Sequence, residues 1–161
     1  MDGELFVMIE IIAEIGQNHN GDMTLARELI HAAKENGADV AKFQVFDAQT
    51  LFPEVDNEWY EYNLAAELNK NQVIELNEEC EKVGIEFSAS VFDCERVDWL
   101  EDVNIGRYKI ASRSIREKAL IEKLCKLNKP LIISLGMWSG EEFPAIRTEA
   151  PVHFLYCISK Y

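Results

Sequence analysis

The chain has 161 residues, a net charge of −13, a hydrophobic fraction of 48% and a charged fraction of 28%. That composition belongs to a soluble globular fold and not to a disordered chain, and its acidity disfavours nucleic acid, whose binding requires a basic face. The longest apolar runs fall well short of the ~20 residues that cross a bilayer. No membrane partner is therefore expected, and the acidic start Met1-Asp2-Gly3-Glu4, without a basic n-region, reads as cytoplasmic. Cys80, Cys94, Cys125 and Cys157 fit neither a zinc nor a C-x-x-C pattern and read as buried or surface thiols.

In chain order, Val7 to Ile15 is a β-branched apolar run that predicts a first strand. After Gln17-Asn18-His19-Asn20-Gly21, Asp22 is placed to cap a helix carrying Leu25, Leu29, Ala32 and Ala33, which Asn36-Gly37 stops. Asp39 to Phe46 predicts strand 2, and Asp47 to Asn63 has no clear period. A helix opened by Asn71 runs through Val73, Leu76 and Cys80 to Gly84. Ile85 to Phe92 then predicts strand 3, Cys94 to Val103 a helix, Arg107 to Ser112 strand 4, and Glu117 to Leu127 a helix. Leu131 to Leu135 follows as strand 5 and Val152 to Ser159 as strand 6; between them Pro144 leaves room for a turn only.

Alternating strands and helices predict a parallel α/β sheet with right-handed crossovers. Polar residues close every strand: Glu14, Lys42 with Gln44, Ser90, Lys109 with Ser112, Ser134, and Ser159. An open doubly wound sheet needs such residues at two or three strand ends; all six carrying them suits a barrel mouth. A complete (β/α)8 barrel takes ~250 residues, so a partial barrel of about six βα units is expected, part of a longer protein, with residues 1–161 as one domain.

Lys42 and Lys109 lie among apolar neighbours, where an ammonium must have a carboxylate or an anion beside it. Two readings stay open, a structural ion pair with Glu14 or a phosphate or carboxylate site built with the serines. Glu14 reads either as the salt-bridge partner or as a group that hydrogen-bonds a sugar or carries a proton. His19 reads as a metal or substrate contact or as a turn residue, and His31 and His153 as structural or surface residues.

The segments Ile11-Ile12-Ala13-Glu14-Ile15-Gly16-Gln17-Asn18-His19-Asn20-Gly21-Asp22 and Gly37-Ala38-Asp39-Val40-Ala41-Lys42-Phe43-Gln44 resemble the opening of the sialic acid synthase family. Phe87 to Asp93, Tyr108 to Ser112, Lys129 to Met137 and Leu155 to Tyr161 continue the likeness in order and spacing. The resemblance implies a TIM barrel followed by a small antifreeze-like domain, working as a homodimer when complete. The implied reaction condenses phosphoenolpyruvate with an open-chain N-acetylated amino sugar and releases phosphate, aided by Mn²⁺ or Mg²⁺ whose ligands lie beyond this chain. It also implies that Lys42, Ser90, Lys109, Ser112, Ser134 and Ser159 hold phosphoenolpyruvate, while Glu14, Gln44 and Tyr161 face the sugar.

Three departures accompany the resemblance. The family's Gly-Glu after Ser112 is Arg113-Ser114 here, which leaves the sugar open: Arg113 either meets a more acidic or phosphorylated acceptor or points outward. Ser159 stands where Asn is frequent, and Trp138 to Pro151 replaces a helix. With later strands and the trailing domain missing, this chain alone is expected to be inactive. A non-catalytic phosphoenolpyruvate-binding half-barrel is the alternative of a different class.

Overall fold

The same spacing that marks helices and strands in the sequence also sets their ends in space. In the computed structural model, which describes residues 9–52 and 59–159, β1 (Ile12–Gly16) leads into α1 (Met23–Glu35), whose first N–H groups donate to the Asp22 carboxylate. β2 (Val40–Val45) is followed by α2 (Ala48–Leu51), α3 (Tyr60–Ala66) and α4 (Lys70–Val83). Asn69 and Gln72 form a reciprocal capping box at the start of α4, so that helix opens two residues before the expected Asn71. Gly84, at φ +71°, ends it in the left-handed conformation that glycine adopts without steric cost. β3 (Glu86–Val91), α5 (Cys94–Asp102), β4 (Tyr108–Ile110), α6 (Lys118–Leu127), β5 (Leu131–Ser134) and β6 (Val152–Leu155) complete the order.

The six strands are all parallel and lie side by side in chain order, β1-β2-β3-β4-β5-β6. A doubly wound sheet reverses direction at a switch point, whereas consecutive order without reversal is the arrangement of a (β/α)8 barrel. The chain is thus a partial TIM barrel of six strands, with β1 and β6 at the two ends of the sheet.

Period-two alternation divides the sheet into two faces. Ala41, Phe43, Val45, Phe87, Ala89, Val91, Tyr108, Ile110, Leu131 and Ile133 point to the helices and join Ala26, Ile30, Leu76, Leu100 and Leu124 in one apolar core. The other face carries Glu14, Lys42, Gln44, Glu86, Ser88, Ser90, Arg107, Lys109 and Ser134. Its lower part is closed by Arg107, whose guanidinium donates to Glu10 at 2.6 and 2.8 Å and to Glu86 at 2.7 Å from each of two nitrogens. Glu10 precedes β1, so this clasp joins the β1 side of the sheet to β4. In a flat sheet those strands would stand about 14 Å apart.

Several boundaries differ from the expectations. β1 starts at Ile12 rather than Val7; Val7 and Met8 lie outside the described residues. β4 ends at Ile110 and places Ser112 in a 3-10 turn (Ser112–Ser114), because Ser114 N–H and Ile115 N–H fold back to Ala111 and Ser112 carbonyls. β6 ends at Leu155 rather than Ser159. The stretch read as lacking period contains α2, started by Asp47 accepting from Thr50 N–H at 2.7 Å, and α3; residues 53–58 lie outside the described residues. Residues 136–151 hold no helix, as Pro144 implied, and a groove of about 930 Å³ along α6, lined by Ile121, Cys125, Trp138 and Ile146, remains beside them.

Candidate anion-binding site

Above the Arg107 clasp, the inner face presents two lysines. Lys42 leaves β2 opposite Ser88, and Lys109 leaves β4 opposite Ser90, so both stand on one face and near one level. They are 6% and 8% exposed. Lys42 Nζ donates to Glu14 Oε2 and lies 3.5 Å from Ser90 Oγ. Lys109 Nζ donates to Ser134 Oγ at 2.6 Å and to the Ile110 carbonyl at 2.9 Å. The two readings left open for Lys42 therefore resolve in part: it does pair with Glu14, whose own side chain is 54% exposed.

The buried cations of the chain are not compensated alike. Arg107 is held by two carboxylates, which raise its pKa further. Arg96, on α5, is shared by Asp47, Glu67 and Asp93 at 3.2 to 3.3 Å and ties the loop after β2 and the end of α3 to α5. Lys109 has only neutral oxygens as hydrogen-bond partners and no carboxylate among the described residues. Burial and then the Lys42 charge push its pKa down to about 8, against the weaker pull of Glu14 and Cys157. A buried ammonium of this kind is short of one negative charge.

The strand ends next to Lys109 supply donors. Gly136 N–H donates to Ser112 Oγ and to Cys157 Sγ, each at 3.1 Å, and these two side chains stand 3.4 Å apart. A Cβ on Gly136 would stand 2.9 Å from Cys157 Sγ and press on Ser159 Oγ, so the close approach of the loops after β5 and β6 requires glycine here. On the other flank, Glu14 and Gln44 meet beside Gly16, with Glu14 Oε1 and Gln44 Nε2 within 3.3 and 3.5 Å of the position a Cβ would take. Ser112, Ser134 and Ser159 thus gather at one flank, Glu14, Lys42, Gln44 and Ser90 at the other, with Lys109 between.

Two candidates lie elsewhere. His19 is fully buried, accepts from Gly21 N–H through Nδ1 at 3.1 Å, and packs on Phe43, which leaves β2 on the opposite face from Lys42 and Gln44. It sits in the turn after β1 with its buried Nε2 lacking a hydrogen-bond partner among the described residues, and burial pushes its pKa down. Arg113 donates to the Leu51 carbonyl at 3.1 Å and covers the Phe52 ring at 5.3 Å, strapping the loop after β4 to the segment after β2. His31 pairs with Glu79 between α1 and α4, and His153 lies exposed on β6. Tyr161 lies outside the described residues. Sequence reasoning passed over Cys157 and Gly136. The signal for Cys157 was its place two residues before Ser159 and two after Leu155, the spacing that returns side chains to one side of an extended chain.

Six parallel strands in consecutive order, with two buried lysines on the inner face, define an α/β protein of the TIM-barrel type. The model of the NeuB family matches residues 29–161, and the chain belongs to that family. It is 38% identical over 175 aligned residues to the N,N'-diacetyllegionaminic acid synthase of Legionella pneumophila, covering 94% of this chain and 49% of that protein. It is 34% identical over 168 residues to the human N-acetylneuraminate-9-phosphate synthase, covering 94% and 47%. Among solved structures, the N-acetylneuraminic acid (sialic acid) synthetase of Leptospira borgpetersenii serovar Hardjo-bovis, in complex with citrate, superposes with a TM-score of 0.88 at 31% identity, over 96% of this chain and 56% of that one. The chain spans about half the length of the curated relatives it matches.

Proposed function

We propose that the protein containing this chain condenses phosphoenolpyruvate with an open-chain N-acetylated amino sugar, forming a nonulosonic acid and releasing phosphate. The observation that carries this reading is Lys109, buried, cationic and without a carboxylate partner among the described residues, with the Ser134 hydroxyl and the Ile110 carbonyl as its hydrogen-bond partners. Family membership and relatives named as legionaminic acid and N-acetylneuraminate-9-phosphate synthases support it.

In this reading Lys109, Ser112, Ser134 and Ser159 hold one anionic group of phosphoenolpyruvate, and Lys42 with Ser90 holds the other. Glu14 and Gln44, together at the half-exposed flank, face the sugar, and Glu14 carries a proton during the reaction. C3 of phosphoenolpyruvate attacks the aldehyde carbon, C2 takes up water, and the tetrahedral centre expels phosphate. The lysines bear the phosphate charge throughout, so catalysis by these residues is chiefly positioning and electrostatics. The divalent ion of the family belongs to the same proposal. Among the described residues no group of three or more His, Cys, Asp or Glu is placed to hold one, and the steps given to the residues here do not involve it.

Further strands closing the barrel, a small trailing domain and a homodimer complete the proposed protein. Among the described residues no helix is long and apolar enough to cross a membrane, and we place the reaction in the cytoplasm. Full-length protein supplied with phosphoenolpyruvate and a panel of N-acetylated hexosamines, with and without a 6-phosphate, should release phosphate with at least one. Phosphoenolpyruvate binding without release from any acceptor would favour the non-catalytic alternative, and absence of binding would refute both.

A further inference from the structure

The cysteines have unlike surroundings. Cys80 is buried on α4 and burial pushes its thiol up to about 12; Cys125, on α6, is also pushed up by burial. Cys157 goes the other way. It is half-buried beyond β6, and hydrogen bonding from Ser112 pulls its pKa down most; burial opposes this, and Ser134 and the Gly136 and Leu135 N–H groups add smaller pulls downward. Donors meet at its sulfur: Gly136 N–H at 3.1 Å and Ser112 Oγ at 3.4 Å. Independently of the thiol, Lys109 is more than nine-tenths buried without a carboxylate partner among the described residues, which marks the adjoining space as one for an anion. Ser112, assigned above to the anion, is thus also the neighbour of this sulfur.

We propose that Cys157 is a modification site in the wall of the anion pocket, and that its sulfur, once oxidised or alkylated, takes the space and donors of the bound anionic group and closes the pocket. The proposal rests on the anion site described above. With hydrogen peroxide, the thiolate attacks one oxygen: an S–O bond forms, the O–O bond breaks and hydroxide leaves with the electron pair. Sulfur is oxidised by two electrons to sulfenic acid, and a dithiol reductant returns it to the thiol. With iodoacetamide, an S–C bond forms, iodide leaves with the C–I electrons and the thiol proton passes to solvent. Gly136 closes one side of the sulfur, since even a methyl group there would lie 2.9 Å from it.

The test uses full-length protein with Cys94→Ser and Cys125→Ser, both outside the pocket, and wild type in parallel as the folding control. Iodoacetamide adducts are located by peptide mass spectrometry, and phosphoenolpyruvate binding is measured by calorimetry before and after treatment. Cys157 should carry the adduct, saturating phosphoenolpyruvate should slow its formation by about tenfold or more, and the modified protein should lose affinity by about a hundredfold or more. An adduct on Cys157 with affinity unchanged, or no adduct there, overturns the proposal while the anion site stands. Untreated wild-type protein that does not bind phosphoenolpyruvate overturns the anion site, and the proposal with it.

Discussion

Replacing Lys109 by methionine separates a functional ammonium from a structural one, because the two roles predict opposite changes. Methionine keeps much of the apolar stem that packs inside the sheet and removes the charge. For the ligand, a unit charge pair at about 4 Å with an effective dielectric of about 20 is worth about 4 kcal/mol. Allowing for the desolvation that the free lysine has already undergone, the expected loss is about 3 to 4 kcal/mol, or about 200- to 1000-fold in phosphoenolpyruvate affinity. For the fold the sign reverses. The hydrogen bonds to Ser134 and Ile110 are lost, but so is a buried charge without a carboxylate partner among the described residues, and such replacements are neutral or stabilising by about 1 to 2 kcal/mol. Calorimetry with phosphoenolpyruvate and a urea unfolding curve measure both on one preparation. Affinity within about threefold of wild type, or a stability loss above about 2 kcal/mol, would refute the reasoning.

The Lys109 pKa of about 8 predicts that phosphoenolpyruvate affinity falls as pH rises through 8, and that binding near this pH takes up protons, which calorimetry in buffers of different ionisation enthalpy reads directly. In the ligand-free protein the folded chain gives up the Lys109 proton at lower pH than the unfolded chain does, so stability should rise between pH 8 and the ordinary lysine value of 10.5. His19 has its folded pKa below 6.5; its contribution is fully present above that value and is lost as pH falls below it, a loss that His19→Gln should reduce in thermal melts between about pH 5 and 7.5. Gly136→Ala, which would place a methyl against Cys157 and Ser159, should cost about 1 to 3 kcal/mol in unfolding experiments and weaken phosphoenolpyruvate binding. Arg96→Met leaves Asp47, Glu67 and Asp93 facing one another and should destabilise the fold by about 3 kcal/mol; an unchanged urea midpoint would show that the carboxylates reach water instead.

The strands were legible because their helix-facing residues are continuously apolar from Ala41 to Ile133 while Lys42, Ser90, Lys109 and Ser134 interrupt at the alternate positions. That interruption also marked the site. α2 and α3 were not legible: the four residues of α2 show no period, and besides the local Asp47 cap it is fixed by Glu67 accepting from Ala48 N–H, a contact between residues distant in sequence. Arg96 was passed over for the same reason, since its three carboxylates come from three separate stretches. His19 and Arg113 show the limit of motif reading, because the residue type fits a ligand while the environment, a buried turn in one case and a strap over Phe52 in the other, is set by neighbours the motif does not contain.

The consecutive strand order leaves β1 and β6 each with one flank of amide and carbonyl groups that no strand among the described residues takes. Those flanks are templates for parallel pairing. A separately produced polypeptide bearing the remaining strands of a relative can be titrated against this chain as a complementation assay, with recovered tryptophan fluorescence as the signal. Such a two-piece system would let the added strands be exchanged while the lysine pocket is left untouched.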